Sequence, residues 1–460
     1  MKKRFIGRKN ELNALQDKYN DPGFQMAVIY GRRRIGKTAL INEFMNQNSC
    51  KKVSFVAVER SEKELLEMMG ETVLSSLAPD LLGSVSFDSF DKLFEYVGNV
   101  AKKERVIFLI DEYPYLAKEC SYINSLIQKF VDYDWKNTNL YFILCGSMVS
   151  FMKDEVLSID APLHARSTLE IKLEPFNYLE TAKFIPNYSE EEKAIVYGLT
   201  SGVAKYIEQF NDSKSLDENI IEQFYRSTGY FTEEQIKTVV TGEKSNPTLS
   251  YEIISAVAHG HTKYNEICTA VHNKDIAYPM KQLVSSEILE KRVSTKPYYY
   301  LKDGMLKFWF TYVDRAASLI NAGKGDLYYK NVVKEKLHEY MGPVFEEICK
   351  DYVYQNLGTK KVPFLTELKK YQASVKGSKK EIHQVELDLV GYNEKDIVLV
   401  GECKFRNQAF NKEDLENFLE KLEYIPTKNP KRMLFSLSGF NDYVKKHSEE
   451  ITLVTIKEMY

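Results

Sequence analysis

The chain has 460 residues, 44% apolar and 28% charged, with 63 basic side chains against 65 acidic ones. That length suggests about three domains, and the composition can bury sizeable cores. The near-cancelling charge removes any global pull toward nucleic acid or membrane, so a nucleic-acid contact must be local. Six cysteines (Cys50, Cys120, Cys145, Cys268, Cys349, Cys403) show no C-x-x-C pairing, which argues against a zinc site or disulfide framework and fits a reducing cytosol. Met1–Leu12 is charged and lacks an apolar signal segment, and the longest apolar runs, such as Val106–Ile110, have strand length. The expectation is a cytoplasmic protein with no membrane partner.

Taken in order, Phe5–Leu12 reads as a helix start, with Glu11 in its first turn. Val28–Thr38 then reads as a buried strand, a glycine-bounded loop and the opening of a helix that runs to about Met45. Gly31, Gly36, Lys37 and Thr38 fit G-x-x-x-x-G-K-[ST], the phosphate-binding P-loop. The glycines let the backbone curl around an anion, and the helix start adds the favourable end of its dipole. Lys37 brings an ammonium to the β- and γ-phosphates, and the Thr38 hydroxyl can ligate Mg²⁺. Arg32, Arg33, Arg34, Ile35 and Ala39 complete the stretch expected to line ATP.

Lys52–Val58 is strand-like, and helical patterns follow around Glu62–Leu77 and Phe87–Lys103. Arg105–Leu116 holds an apolar run closed by two acids, the pattern of a buried parallel strand with carboxylates at the edge where α/β folds bind ligands. Asp111 is expected to hold Mg²⁺, mostly through water, and Glu112 to polarise the attacking water. Leu140–Ser147 is a further buried strand ending in a polar turn. Arg166 follows and precedes a strand; it can neutralise charge developing on a γ-phosphate, in cis or from a neighbouring subunit of a homo-oligomer, or pair with a surface carboxylate.

"GRRRIGKT", "FLIDEYPYL", "FILCGS" and "HARSTLEIKLEPF", in this order, resemble the archaeal-type ATPase family, a branch near the STAND and AAA+ NTPases, over roughly Phe5 to Phe210. The resemblance implies that Arg8 lies against the adenine ring and that Ser147 stands where the family carries a polar γ-phosphate sensor. The family's lid commonly carries a GG-x-P-x-Y turn. Here Thr200–Ile207 keeps Gly202 and Tyr206 but has Ser201 and Ala204 in place of the other Gly and Pro.

Tyr178 to about Val240 is helical and charged and reads as a small lid, followed by a turn-rich linker at Gly242–Thr248. Helical patterns at Tyr251–His259, Lys263–Val271 and Ala277–Glu287, then a hairpin reversing near Ser294–Pro297, make a winged helix. Its charges are balanced, which leaves both DNA contact and a protein-adaptor role open; Lys281, Lys291, Arg292 and Lys296 are its candidate phosphate contacts. Tyr298–Tyr300 reads as wing packing.

The last domain starts near Glu335 with a helix carrying Glu346 and Glu347, followed by a loop of several lysines (Lys360, Lys361, Lys369, Lys370, Lys376, Lys379, Lys380) that could hold a nucleic-acid backbone or be a solvated insertion. Strands at Gln384–Tyr392 and Asp396–Phe405 bring Asp388 to the E-x-K of Glu402 and Lys404, which share a face. Asp388 and Glu402 can hold one or two Mg²⁺, Lys404 can help activate water, and Glu346 can supply a further ligand. This region resembles the PD-(D/E)xK restriction-endonuclease-like fold and matches domain of unknown function 234 over about Leu337 to Thr455.

The combined expectation is α/β: a P-loop NTPase core with an AAA+-like parallel sheet (1–176), a helical lid (177–245), a winged helix and linker (246–333), and a nuclease-like α/β domain (334–460). ATP, Mg²⁺ and DNA are the expected ligands. The catalytic set is Lys37, Glu112 and Arg166 in the first domain and Asp388, Glu402 and Lys404 in the last. Two readings remain open: an ATP-regulated enzyme that cleaves DNA, and a nucleotide-driven switch whose last domain only binds.

Overall fold

The computed structural model describes residues 5–233, 236–237, 246–293, 297–376, 382–427 and 429–460, with the side chains of 375–376 and 382–383 left aside. Lys296, Lys379, Lys380 and most of the Gly242–Thr248 linker lie outside the described residues, as does the side chain of Lys376. By its contacts the chain divides into two units. One comprises Met1–Phe176, Val203–Tyr206 and Thr241–Lys302; the other comprises Asn177–Gly202, Ile207–Val240 and Asp303–Tyr460.

The first unit is built on five strands: β1 (Gln25–Tyr30), β2 (Lys51–Val56), β3 (Val106–Asp111), β4 (Leu140–Gly146) and β5 (Leu169–Lys172). They pair in the order β2-β3-β4-β1-β5, every pairing parallel. The apolar runs are continuous because the sheet is covered on both faces. Met26 and Val28 face one core with Phe108, Ile110, Phe142 and Leu144, while Ala27 and Ile29 face the other with Ile107, Leu109 and Ile143. The helices Glu62–Leu77 and Phe90–Ala101 cover the first face; Lys9–Asn20 and Lys37–Gln47 cover the second. Capping serines fix where the first two start: Ser61 makes a full capping box with Glu64, and Ser89 accepts from the Lys92 amide.

The same unit contains the helices Pro247–Ala258, Tyr264–Ala270 and Ala277–Ser285 and the antiparallel hairpin of β6 (Leu289–Val293) with β7 (Pro297–Leu301). Asn246 caps the first of these helices. Lys263 adds an antiparallel bridge to Tyr298 on β7.

The second unit carries a mixed sheet ordered β12-β11-β10-β9-β8, from β8 (Glu367–Lys376), β9 (Ile382–Asn393), β10 (Asp396–Lys404), β11 (Lys431–Ser436) and β12 (Ile451–Thr455). β8, β9 and β10 form an antiparallel meander, and β11 and β12 continue it in parallel. The helix Lys412–Glu423 packs Leu415 and Phe418 on one side. The helix Leu337–Gln355 sets Phe345 against Phe405 and Tyr352 against Phe435.

One expectation fails here. Within the lysine-rich stretch expected to be a loop, Lys369, Lys370 and Lys376 lie on strand β8, paired with β9 over Glu367–Lys376, while Lys360 and Lys361 precede the strand. Among the described side chains of that strand the buried member is Leu368, too thin an apolar signal to register as period two.

Candidate functional site

Two places gather the residues singled out by the sequence, and each lies within one unit. In the first unit, β1 delivers the chain into a loop of left-handed turns at Gly31 (φ 153°), Arg34 (φ 71°) and Gly36 (φ 96°) before the helix at Lys37. A Cβ on Gly31 would stand 2.4 Å from the Leu173 carbonyl oxygen, so that glycine also permits the chain leaving β5 to pass close by. Ile35 is fully buried and anchors the loop, and its carbonyl accepts from the Arg8 guanidinium at 3.1 Å. Arg8 is itself buried, with its guanidinium 3.9 Å above the Phe176 ring.

Lys37 is 6% exposed, and its ammonium donates to the carbonyls of Gly31 and Arg32, both at 2.9 Å. Burial pulls its pKa below the usual lysine value, opposed by nearby groups that include Asp111 and Glu112. Thr38 Oγ1 donates to Asp111 Oδ2 at 2.9 Å, which joins the P-loop helix to the end of β3. Asp111 is 4% exposed, and its other oxygen accepts the Glu112 amide. A hydroxyl and a buried carboxylate meeting at one point form the hard-oxygen donor set that Mg²⁺ requires, so these residues fit that ion.

Glu112 takes a left-handed backbone (φ 50°, ψ 41°) as the chain leaves β3. Its Oε2 accepts from the Ser147 hydroxyl at 2.7 Å and the Ser147 amide at 3.2 Å, and Ser147 in turn accepts from Arg33 at 3.4 Å. Arg33 also reaches the Tyr115 hydroxyl at 2.8 Å. Thus Arg8, the P-loop, Asp111, Glu112 and Ser147 share one sheet edge. Arg166 is engaged elsewhere: it grips Asp132 with two nitrogens, at 2.8 and 2.9 Å, and donates to the His164 carbonyl. Sequence reasoning missed the short turn at Ala204–Ile207 as a neighbour of the loop: the Lys205 amide donates to the Arg34 carbonyl, and Tyr206 lies under the Arg34 guanidinium. The Gly202 and Tyr206 remnant of the lid motif was the available signal.

A family model described as an ATPase domain predominantly from Archaea matches residues 5–210. Residues 5–210 are an archaeal-type ATPase domain. A second model, of archaeal and bacterial proteins of unknown function, matches residues 309–418, starting earlier and ending sooner than the span expected from the sequence. An uncharacterized protein of Methanocaldococcus jannaschii is 28% identical over 369 residues, covering 78% of this chain and 80% of its own. An uncharacterized ATP-binding protein of the same organism is 42% identical over 50 residues, 11% of this chain and 85% of its own. Among solved structures, a Walker-type ATPase of Pyrococcus abyssi aligns at TM-score 0.49 with 17% identity, over 67% of this chain and 97% of that one. The ORC2 protein of Aeropyrum pernix aligns at 0.42 with 12% identity, over 70% and 97%. Outside the ATPase domain, no helix among the described residues, nor any within it, is long and apolar enough to cross a membrane.

The second place lies on β9 and β10. Asp388 is buried, and its Oδ2 accepts the Cys403 amide at 2.9 Å. Burial and the neighbouring Glu402 push its carboxyl up to about 6. Glu402 Oε1 accepts from Lys404 and from Lys421, each at 2.9 Å, while its Oε2 is sealed from solvent without a hydrogen-bond partner. Lys404 is pulled down by burial but held above the usual value, chiefly by Glu402. A cavity of about 290 Å³ opens here, lined in part by Glu402, Lys404, Lys421, Asp414 and Tyr424. Glu346 is held by Lys370, which also reaches Glu386 and Asp388. Among the described residues no group of three or more His, Cys, Asp or Glu side chains is arranged to hold a metal ion; the orphaned Glu402 oxygen is the atom here that suits a cation.

Proposed function

We propose that this chain hydrolyses ATP and that its nucleotide cycle governs DNA held by the C-terminal sheet domain. The observation that carries the ATPase reading is the Thr38–Asp111 hydrogen bond beside buried Lys37. In this reading ATP lies along Gly31–Ala39, its phosphates against the loop amides and the Lys37 ammonium. Thr38 and Asp111 would hold Mg²⁺, which would supply the positive charge that offsets the phosphates. Glu112 orients the attacking water and takes its proton, with Ser147 fixing the carboxylate. Arg8 faces the base, and Arg166 serves the γ-phosphate of its own or a neighbouring subunit after leaving Asp132.

What supports the DNA reading is Glu402 and Lys404 lining a polar cavity, with Asp388 on the adjoining strand against the Cys403 amide between them. Those residue types suit phosphodiester chemistry, in a domain we assign to 334–460, with a lid at 177–245 and a winged helix at 246–333. The second reading, a switch that binds without cutting, is favoured by the lysines already paired with these carboxylates, Lys370 with Asp388 and Lys404 and Lys421 with Glu402. Incubation with plasmid and Mg²⁺, with and without ATP, separates the two. Cleavage abolished by Asp388→Ala supports the enzyme; intact plasmid with salt-sensitive binding supports the switch.

Calorimetric titration with ATP tests the core of the scheme. Lys37→Ala is expected to abolish binding with the fold intact. Glu112→Gln is expected to keep binding and lose about 10²- to 10⁴-fold in kcat. Unchanged ATP affinity in a folded Lys37→Ala chain would remove the P-loop assignment.

A further inference from the structure

The hydrogen bonds that hold Glu112 continue past Ser147. Both bonds that the carboxylate accepts from Ser147 fall on Oε2, and among the described residues Oε1 accepts none. The Ser147 hydroxyl has a single proton, and that proton is committed to Glu112 at 2.7 Å. What remains on Ser147 Oγ are lone pairs, and Arg33 Nε donates to them at 3.4 Å. A guanidinium carries donors alone. Arg33 can therefore sit there in one sense only: it gives, Ser147 accepts, and the hydroxyl proton is left on the side of the carboxylate. The Arg33 Nη2 donates in turn to the Tyr115 hydroxyl at 2.8 Å. Tyr115 lies one turn into the helix Tyr113–Glu119 that Glu112 opens, its amide donating to the Glu112 carbonyl at 3.0 Å. One P-loop side chain thus spans the segments that follow β3 and β4. Fixing an exposed arginine costs rotamer freedom, and here acceptors on two different elements hold it.

We propose that Arg33 and Tyr115 are positioning residues for the hydrolysis step: Tyr115 seats the Arg33 guanidinium, Arg33 fixes the sense of the Ser147 hydroxyl, and Ser147 holds Glu112 by Oε2, leaving Oε1 to take the proton of the attacking water. This rests on the ATPase reading above. The proton passes from water to Oε1 as the water oxygen attacks the γ-phosphate, and neither bond on Oε2 has to break, because a protonated carboxyl still accepts there. A base that swings about its own side-chain torsions loses the alignment that such a step requires. Arg33 stands between Gly31 and Gly36, so the base takes its bearing from the same loop that receives the phosphates.

Steady-state ATP hydrolysis beside calorimetric ATP titration, on the full chain, tests this. Tyr115→Phe keeps the ring and removes the hydroxyl alone. It is expected to lower kcat about threefold to tenfold with the Kd for ATP unchanged. Arg33→Lys keeps a cation in the loop but loses the planar fork that serves both acceptors, and is expected to lose at least as much kcat. In a Ser147→Ala background neither substitution is expected to cost more than about twofold further, because the link they act through is already cut. Circular dichroism and thermal melting establish that each variant folds. A parental kcat in Tyr115→Phe overturns the proposal, as do losses that multiply in full in the Ser147→Ala background. Arg33→Lys with parental kcat and weakened ATP binding assigns Arg33 to the phosphates and also overturns it. A parent that binds ATP without hydrolysing it defeats the ATPase reading instead, and urea midpoints of the same variants then decide the linkage. Destabilisation by Tyr115→Phe and Ser147→Ala that falls short of additive upholds it; fully additive losses overturn it.

Discussion

Glu112 combines an uncommon backbone with a restrained side chain. A left-handed conformation in a residue with a Cβ costs about 1–2 kcal/mol, and Arg8 and Arg34 at the same sheet edge share it. Such strain persists where surrounding contacts over-determine it, and here the Ser147 hydroxyl and amide both hold the Glu112 carboxylate. Ser147→Ala removes the shorter of those bonds. The expected outcome is unchanged ATP affinity with kcat lowered about tenfold, because a base displaced from its line loses orientation. Steady-state kinetics beside calorimetry checks the split, and a wild-type kcat would reduce Ser147 to a turn residue. None of the three strained positions announces itself in the sequence, since Arg and Glu do not favour left-handed turns. Glycines do, and Gly31 and Gly36 were legible for that reason. Arg166 lies at the other extreme: its residue type allowed both a phosphate contact and a surface pair, and the Asp132 partner depends on a tertiary contact that no local pattern encodes.

At the scale of elements, the P-loop works as a joint between strands. β1 ends where the chain leaving β5 passes, and Gly31 has room for a hydrogen alone before the Leu173 carbonyl. Gly31→Ala is expected to cost about 2 kcal/mol or more in urea unfolding and to abolish nucleotide binding, because the clash is with backbone that cannot swing aside. The long apolar strands were readable because burial on both faces leaves an unbroken run, and the acids closing β3 marked the sheet's carboxyl edge. β8 escaped notice for the opposite reason. Lysines crowd a strand that lies at the end of its sheet, and charge on such a strand hides its period while protecting the edge. That omission also concealed Lys370, whose acid partners Glu346, Glu386 and Asp388 come from β9 and the Leu337–Gln355 helix.

Across the whole molecule, the balance of 63 basic and 65 acidic groups averages over local imbalance. In the second unit, burial and then Glu347 push the Asp351 carboxyl up to about 6. A carboxyl raised above its unfolded value of about 3.9 binds its proton more tightly in the folded state. Its stabilising contribution is therefore full below that unfolded value and is lost as pH rises through about 6. Asp351→Asn is expected to stabilise the protein by about 1 kcal/mol at pH near 7.5, a figure already reduced for partial solvent screening, and to change little at pH near 4. Urea midpoints at the two pH values check it; equal shifts at both would assign the effect to packing.

The path of the chain has one further consequence. Val203–Tyr206 cluster with the nucleotide-binding unit, while the stretches on either side, Asn177–Gly202 and Ile207–Val240, belong to the other. Four residues counted with one unit between stretches counted with the other mean that the covalent chain passes from one neighbourhood to the other twice within a few positions. An insertion or deletion there would shift the register of the Lys205 amide against the Arg34 carbonyl.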